Sequence, residues 1–134
     1  MFACTFMVVG MREIKFEIMF EWSNKDFTKS IGKHYTTLDR IIDGRDNCDY
    51  SAIDIIAKRQ YTGLKDINGK EIYEGDIINR ELNCLFYNGT VNDVVVFDDG
   101  CFKAGDCSNI KMLVNYYEAT VIGNVHENTE LLEG

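Results

Sequence analysis

The 134-residue chain contains no proline. Every sharp reversal therefore falls to Gly, Asn or Asp, the residues that reach left-handed backbone cheaply or hydrogen-bond their own turn. Histidine is almost missing as well: only His34 and His126 are present. Neither stands in a nucleophile elbow or other catalytic context, so triad and general acid–base chemistry have little to work with. His34, beside Tyr35, reads as a surface or half-buried polar residue, and His126, before Glu127, as a pairing residue at a sheet end. No span approaches the roughly 20 apolar residues that a membrane helix needs. A phosphate-cradling glycine loop is absent too: Gly63, Gly69 and Gly75 stand six apart, and each closes its own turn.

Basic residues are scarce in one half only. Residues 60–134 hold five Lys/Arg against thirteen Asp/Glu, a balance of −8, whereas residues 1–59 hold nine of each. An acidic surface repels phosphate backbones, which argues against general nucleic-acid binding and fits solubility or a basic partner. The five cysteines, Cys4, Cys48, Cys84, Cys101 and Cys107, are odd in number and share no spacing. Cys101 and Cys107 lie too far apart for a zinc knuckle or a redox pair. Reduced thiols in a cytoplasmic protein are expected. Asp98 and Asp99 near Asp106 lack the 12-residue calcium-loop pattern, and Asp98-Asp99-Gly100 reads as a turn. No catalytic, cofactor-binding or metal-binding residue is assigned.

What is present is mainly β patterning. Ile14, Phe16, Ile18, Phe20 and Trp22 alternate with Lys15, Glu17, Met19 and Glu21, which predicts a strand with Trp22 closing its apolar face. Lys29 to Tyr50 reads as a mobile or irregular excursion: Leu38, Ile41 and Ile42 could share a helical face capped by Thr37, but Ile41-Ile42 before Asp43-Gly44 suits a strand end and turn equally well. Ile53, Ile55 and Ala57, or Ile56 in the opposite phase, begin a second extended segment that runs through Gln60-Tyr61-Thr62 to the hairpin.

The stretch Gln60 to Asp76 organises the rest. Asn68-Gly69 suits a type I′ hairpin, with positive φ at both residues, and Glu74-Gly75-Asp76 suits a corner. A long strand from Ile77 to Tyr87 is expected to end at Asn88-Gly89, followed by Thr90 to Phe97, a turn at Asp98-Asp99-Gly100 and the short run Cys101-Phe102-Lys103. Ala104 to Asn109 reads as a polar loop, Ile110 to Val114 as an apolar run and Tyr117 to Gly123 as a last strand. His126 to Leu132 reads as one helical turn. Hairpin turns about ten residues apart are what a small antiparallel barrel produces.

Three blocks carry a resemblance. Gln60-Tyr61-Thr62-Gly63-Leu64-Lys65-Asp66, then Asn68-Gly69-Lys70-Glu71-Ile72-Tyr73-Glu74-Gly75-Asp76-Ile77, and Ile122-Gly123-Asn124-Val125-His126-Glu127-Asn128-Thr129-Glu130-Leu131-Leu132 resemble the YopX family of phage and prophage proteins. Met11-Arg12-Glu13-Ile14-Lys15-Phe16 looks like the family's usual start, with residues 1–10 as an N-terminal extension. Glu17-Ile18-Met19 stands where the family often has Arg-Ala-Trp, and Thr129 where proline is common. The resemblance implies an SH3-like barrel over residues 60–134 in the C-terminal half, preceded by a smaller β-rich part over 11–59. It brings no catalytic or binding residues.

The expectation is a non-enzymatic phage or prophage accessory protein in the host cytoplasm. Its exposed edge strands point to a homo-oligomer, with a host or phage protein as a further partner. One alternative is an acidic decoy for a host nucleic-acid-binding protein, displaying Asp66, Glu71, Glu74, Asp76, Asp93, Asp98, Asp99 and Asp106. Another is single-stranded nucleic acid stacked on Phe86, Tyr87, Phe97, Phe102, Tyr116 and Tyr117, with only Arg80, Lys103 and Lys111 to draw a phosphate backbone.

Overall fold

In the computed structural model, residues 14–50, 54–105, 108–110 and 118–132 are described. The alternation after Ile14 forms β1 (Lys15–Ser23), an inner strand of the first sheet. It pairs β2 (Lys29–Thr37) without a break, from Lys15 opposite Thr37 to Ser23 opposite Lys29. Along its other edge runs β3 (Asp54–Lys65), which continues into a hairpin with β4 (Glu71–Tyr73). The sheet order is β2-β1-β3-β4.

β1 is buried on both faces around its middle. Ile18 is 5% exposed, but Glu17 and Met19, on the face expected to be polar, are 2% and 0% exposed. That face carries buried polar pairing instead of solvent contact. Trp22 is not core: it is 44% exposed, with its ring 5.6 Å from that of Phe20 at the end of the sheet.

The segment read as irregular is β2 followed by a short helix, α1 (Leu38–Ile42). β2 shows little apolar alternation because it is an edge strand, and at Gly32 a Cβ would come within 2.5 Å of the Phe20 ring. Thr37 caps α1 as its position suggests, its hydroxyl accepting a hydrogen bond from the Arg40 N–H at 3.3 Å.

The second sheet has the order β8-β7-β6-β5-β9, from β5 (Asp76–Cys84), β6 (Tyr87–Asp98), β7 (Cys101–Ala104), β8 (Ser108–Asn109) and β9 (Thr120–Asn124). β8 pairs with β7 inside the stretch expected to be loop. All strand pairs are antiparallel. The main core gathers Ile72 of β4 with Ile78, Val95, Phe102, Ala104, Ile110 and Ala119, and Leu64 and Val121 pack against it. It therefore lies between the β3–β4 hairpin and the second sheet. The boundary expected between residues 59 and 60 falls inside β3, which runs unbroken across it.

Two turns differ from expectation. At Asn68-Gly69 only Gly69 takes positive φ, at 83°. The Gly69 N–H donates to Asp66 O at 3.0 Å and the Asp66 N–H to Lys70 O at 2.8 Å, as in a three-residue hairpin loop whose last residue is left-handed. Positive φ at two successive residues occurs at Asp99 and Gly100, 51° and 77°, between β6 and β7. The strand from Ile77 does not reach Asn88-Gly89: Cys84 pairs with Tyr87, and Leu85-Phe86 is the turn.

The β5–β6 hairpin is longer than its neighbours. β9 pairs β5 only at Asp76–Asn79, and β7 pairs β6 only at Val95–Asp98. From the Arg80–Val91 pair to the tip it is a two-stranded ribbon with no third strand among the described residues. The tail forms its expected turn as a 3-10 helix, Thr129–Leu132, and Leu131 O accepts a hydrogen bond from Asn92 Nδ2 at 2.8 Å. The expected extension over residues 1–10 and most of the apolar run 110–114 lie outside the described residues.

Candidate functional site

Antiparallel register places Glu17 of β1 opposite Arg59 of β3. The Glu74-Gly75 corner then brings Asp76, the first residue of β5, to the same guanidinium. Arg59 Nε and Nη2 donate to Glu17 Oε1 at 2.9 and 2.6 Å, and Nη1 donates to Asp76 Oδ1 at 2.5 Å and Glu74 O at 3.3 Å. The remaining carboxylate oxygens are also engaged. Glu17 Oε2 accepts from the Tyr35 hydroxyl at 2.9 Å, and Asp76 Oδ2 accepts from the Tyr73 N–H at 2.8 Å. The side chains of Arg59, Glu17 and Asp76 are 4%, 3% and 5% exposed.

This cluster floors a cleft of about 360 Å³ between the two sheets. Two ion pairs lie at its rim: Lys15 Nζ is 2.8 Å from both oxygens of Glu71, which also accepts from the Tyr73 hydroxyl at 3.2 Å, and Lys33 meets Glu127 at 3.0 Å. Arg59 stacks over the Tyr73 ring at 5.7 Å.

Two carboxylates on one guanidinium leave a buried formal charge of −1. Burial works against the charge of Arg59, but Asp76 and Glu17 outweigh it and hold the group protonated. Burial raises the Asp76 pKa, and the attraction of Arg59 does not fully offset it. Burial, then the hydrogen bond to Glu17, pushes the Tyr35 phenol up to about 12. Four hydrogen bonds engage the five N–H donors of this guanidinium, and each carboxylate oxygen of Glu17 and Asp76 accepts at least one. What the arrangement does chemically is clamp the sheets: Asp76 from the second sheet and Glu17 from the first share one cation.

Neither histidine lines the cleft. His34 Nε2 lies 2.7 Å from Asp46 Oδ1, and the Tyr50 hydroxyl donates to Asp46 Oδ2. The bond from Tyr50 leads in drawing the Asp46 carboxyl down to about 2. The His126 ring titrates below its ordinary range, through burial and then the charge of Arg59. Among the described residues no group of three or more His, Cys, Asp or Glu could hold a metal ion, and no helix is long and apolar enough to cross a membrane. Cys48 and Cys101 are free and half-buried.

The carboxylates of the decoy reading do not form one outward stripe. Asp66 is 6% exposed and accepts from the N–H groups of Asn68, Lys70 and Val121, each at 2.9 Å. Asp76 is in the clamp, Glu71 pairs with Lys15, and Asp93 pairs with Arg80 at 3.0 Å. Asp99 meets Lys103 at 3.1 Å, and Asp106 lies outside the described residues. The aromatics of the stacking reading are divided: Phe102 is 6% exposed, Phe97 55% and Phe86 97%, while Arg80 and Lys103 already pair with Asp93 and Asp99. Tyr116, Tyr117, Lys111, Cys4 and Cys107 lie outside the described residues.

Two features escaped sequence reasoning. Glu17, alternating with an apolar face, carried a faint signal, because Met19 two positions on shares its side of the strand. Leu85-Phe86, two large apolar residues between Asn83 and Asn88, was hidden by the better turn former Asn88-Gly89. Its side chains are 94% and 97% exposed.

Two antiparallel sheets clamped by a buried ion triad define a mainly β protein. The model of the YopX protein family matches residues 13–133, and the chain belongs to that family. It is also similar to a solved structure, the crystal structure of protein EF1440 from Enterococcus faecalis, at 30% identity over 87% of this chain and 75% of that one, with a TM-score of 0.48. No curated protein matches.

Proposed function

We propose that this is a non-enzymatic interaction protein that self-associates, and that the β5–β6 ribbon is its contact element. The observation that carries this reading is the tip of the ribbon: Leu85 and Phe86 are 94% and 97% exposed, beyond the reach of any described third strand. An isolated two-stranded hairpin is marginal in water, and large apolar side chains at its end gain from burial against another surface. The saturated clamp supports the non-enzymatic half of the reading, since its charged groups already answer one another.

Membership of the YopX family supports an accessory role in phage or prophage biology within the host cytoplasm. The β3–β4 hairpin folded against the second sheet is what an SH3-like barrel over residues 60–134 would use as its wall. Light scattering tests the self-association. The wild-type chain at tens of micromolar is expected to show at least twice the monomer mass, and Leu85→Ser with Phe86→Ser the monomer mass. A wild-type monomer under those conditions would overturn the reading.

A further inference from the structure

On the face of the first sheet opposite the clamp, Phe16 and Ile18 of β1 and Ile55 of β3 meet Leu38 and Ile41 of α1. With Lys58 and Tyr50 they line an apolar groove of about 410 Å³. α1 buries none of its own residues, and Ile41 and Ile42 are 43% and 73% exposed. We infer that this groove is the seat of the Leu85-Phe86 tip of a second copy of the chain. The inference rests on the self-association reading and names the surface that receives the ribbon.

Three observations favour that occupant. The tip does not occupy the groove of its own chain, because both its side chains are almost fully exposed. The charges are complementary. Lys58 is the charged residue of the groove lining, and it is exposed. Glu81, exposed on the ribbon, is the acid available to meet it, because Arg80 beside it is already paired with Asp93. Finally, each chain carries one knob and one hole, and a two-fold pair is the arrangement that satisfies both at once without propagating into a filament.

The test uses two single variants at exposed positions, Phe86→Asp at the tip and Ile41→Asp in the groove, with circular dichroism to verify the fold. Each alone is expected to fall to the monomer mass by light scattering. An equimolar mixture is expected to recover the dimer mass, at weaker affinity, because one intact knob-and-hole contact survives in each mixed pair. Exchanging the charges, Lys58→Glu with Glu81→Lys, is expected to restore the association that either change alone weakens.

If the wild type is monomeric, both the self-association reading and this inference fall. If Phe86→Asp dissociates the assembly while Ile41→Asp leaves its mass unchanged, the ribbon has another seat, and only this inference is overturned. Two dissociated singles that fail to recover on mixing overturn it as well. So does an Ile41→Asp variant that melts earlier but still assembles, which would mean that the groove is filled from within its own chain.

Discussion

Arg59 gives hydrogen bonds to oxygens from three places in the chain, while Leu85 and Phe86, on a hairpin of the same molecule, touch almost nothing of their own. The first arrangement costs desolvation and is offset internally; the second leaves apolar surface in water without compensation. The contrast separates two roles. Polar groups that are buried and mutually satisfied report on how the chain holds itself together, and large apolar groups exposed on an unsupported ribbon report on what it meets.

The largest effect expected is at the clamp. Arg59→Ala would leave Glu17 and Asp76 buried without their cation and should cost about 3–5 kcal/mol, read from the urea midpoint. A loss below about 1 kcal/mol would mean that water reaches both carboxylates and would weaken the contrast. Next comes Asp66→Ala, which strips the partner from three backbone N–H groups and should cost about 2–3 kcal/mol in the same measurement.

Acid sharpens the comparison within the carboxylates. Asp46 lies at about 2, below its ordinary 3.8, so its contribution is complete above the ordinary value and is lost as pH falls toward 2. Asp76 has the opposite sign: its raised pKa means that the folded state holds its proton more tightly, so ionisation there subtracts stability as pH rises. Asp46→Asn should therefore flatten the acid limb of a stability–pH curve between about pH 4 and 2, and an unchanged limb would refute the assignment. The smallest effect belongs to the ribbon, where Phe86→Asp should alter the monomer's unfolding free energy by no more than about 0.5 kcal/mol. A larger loss would show that the tip packs on its own chain.

Much of this architecture was legible in the residues. The β1 alternation, the hairpin after Asp66, the Thr37 cap and the C-terminal turn rest on local spacing, and local spacing is written in the sequence. β2 was not legible, because an edge strand exposes most of its side chains and needs no apolar rhythm. The turn at Leu85-Phe86 was masked by Asn88-Gly89, which has the better intrinsic turn chemistry but falls inside β6, where strand pairing overrides it. The clamp was invisible for another reason: Glu17, Arg59 and Asp76 are far apart in sequence, and only the pairing register makes them neighbours. The same applies to the acidity of the second half, which looks like surface by count although Asp66 and Asp76 are interior.

The clamp also gives the growing chain an order of events. Glu17 and Arg59 are synthesised before Asp76, so an emerging chain can pair its first sheet around a neutral couple. Closure onto the second sheet then brings in another acid, the one for which burial raises the affinity for a proton. As the sheets join, the Asp76 carboxylate gains affinity for a proton while the Glu127 carboxylate, held by Asn124 and Lys33, loses it, so assembly of the fold carries two opposed pH signals at identifiable groups.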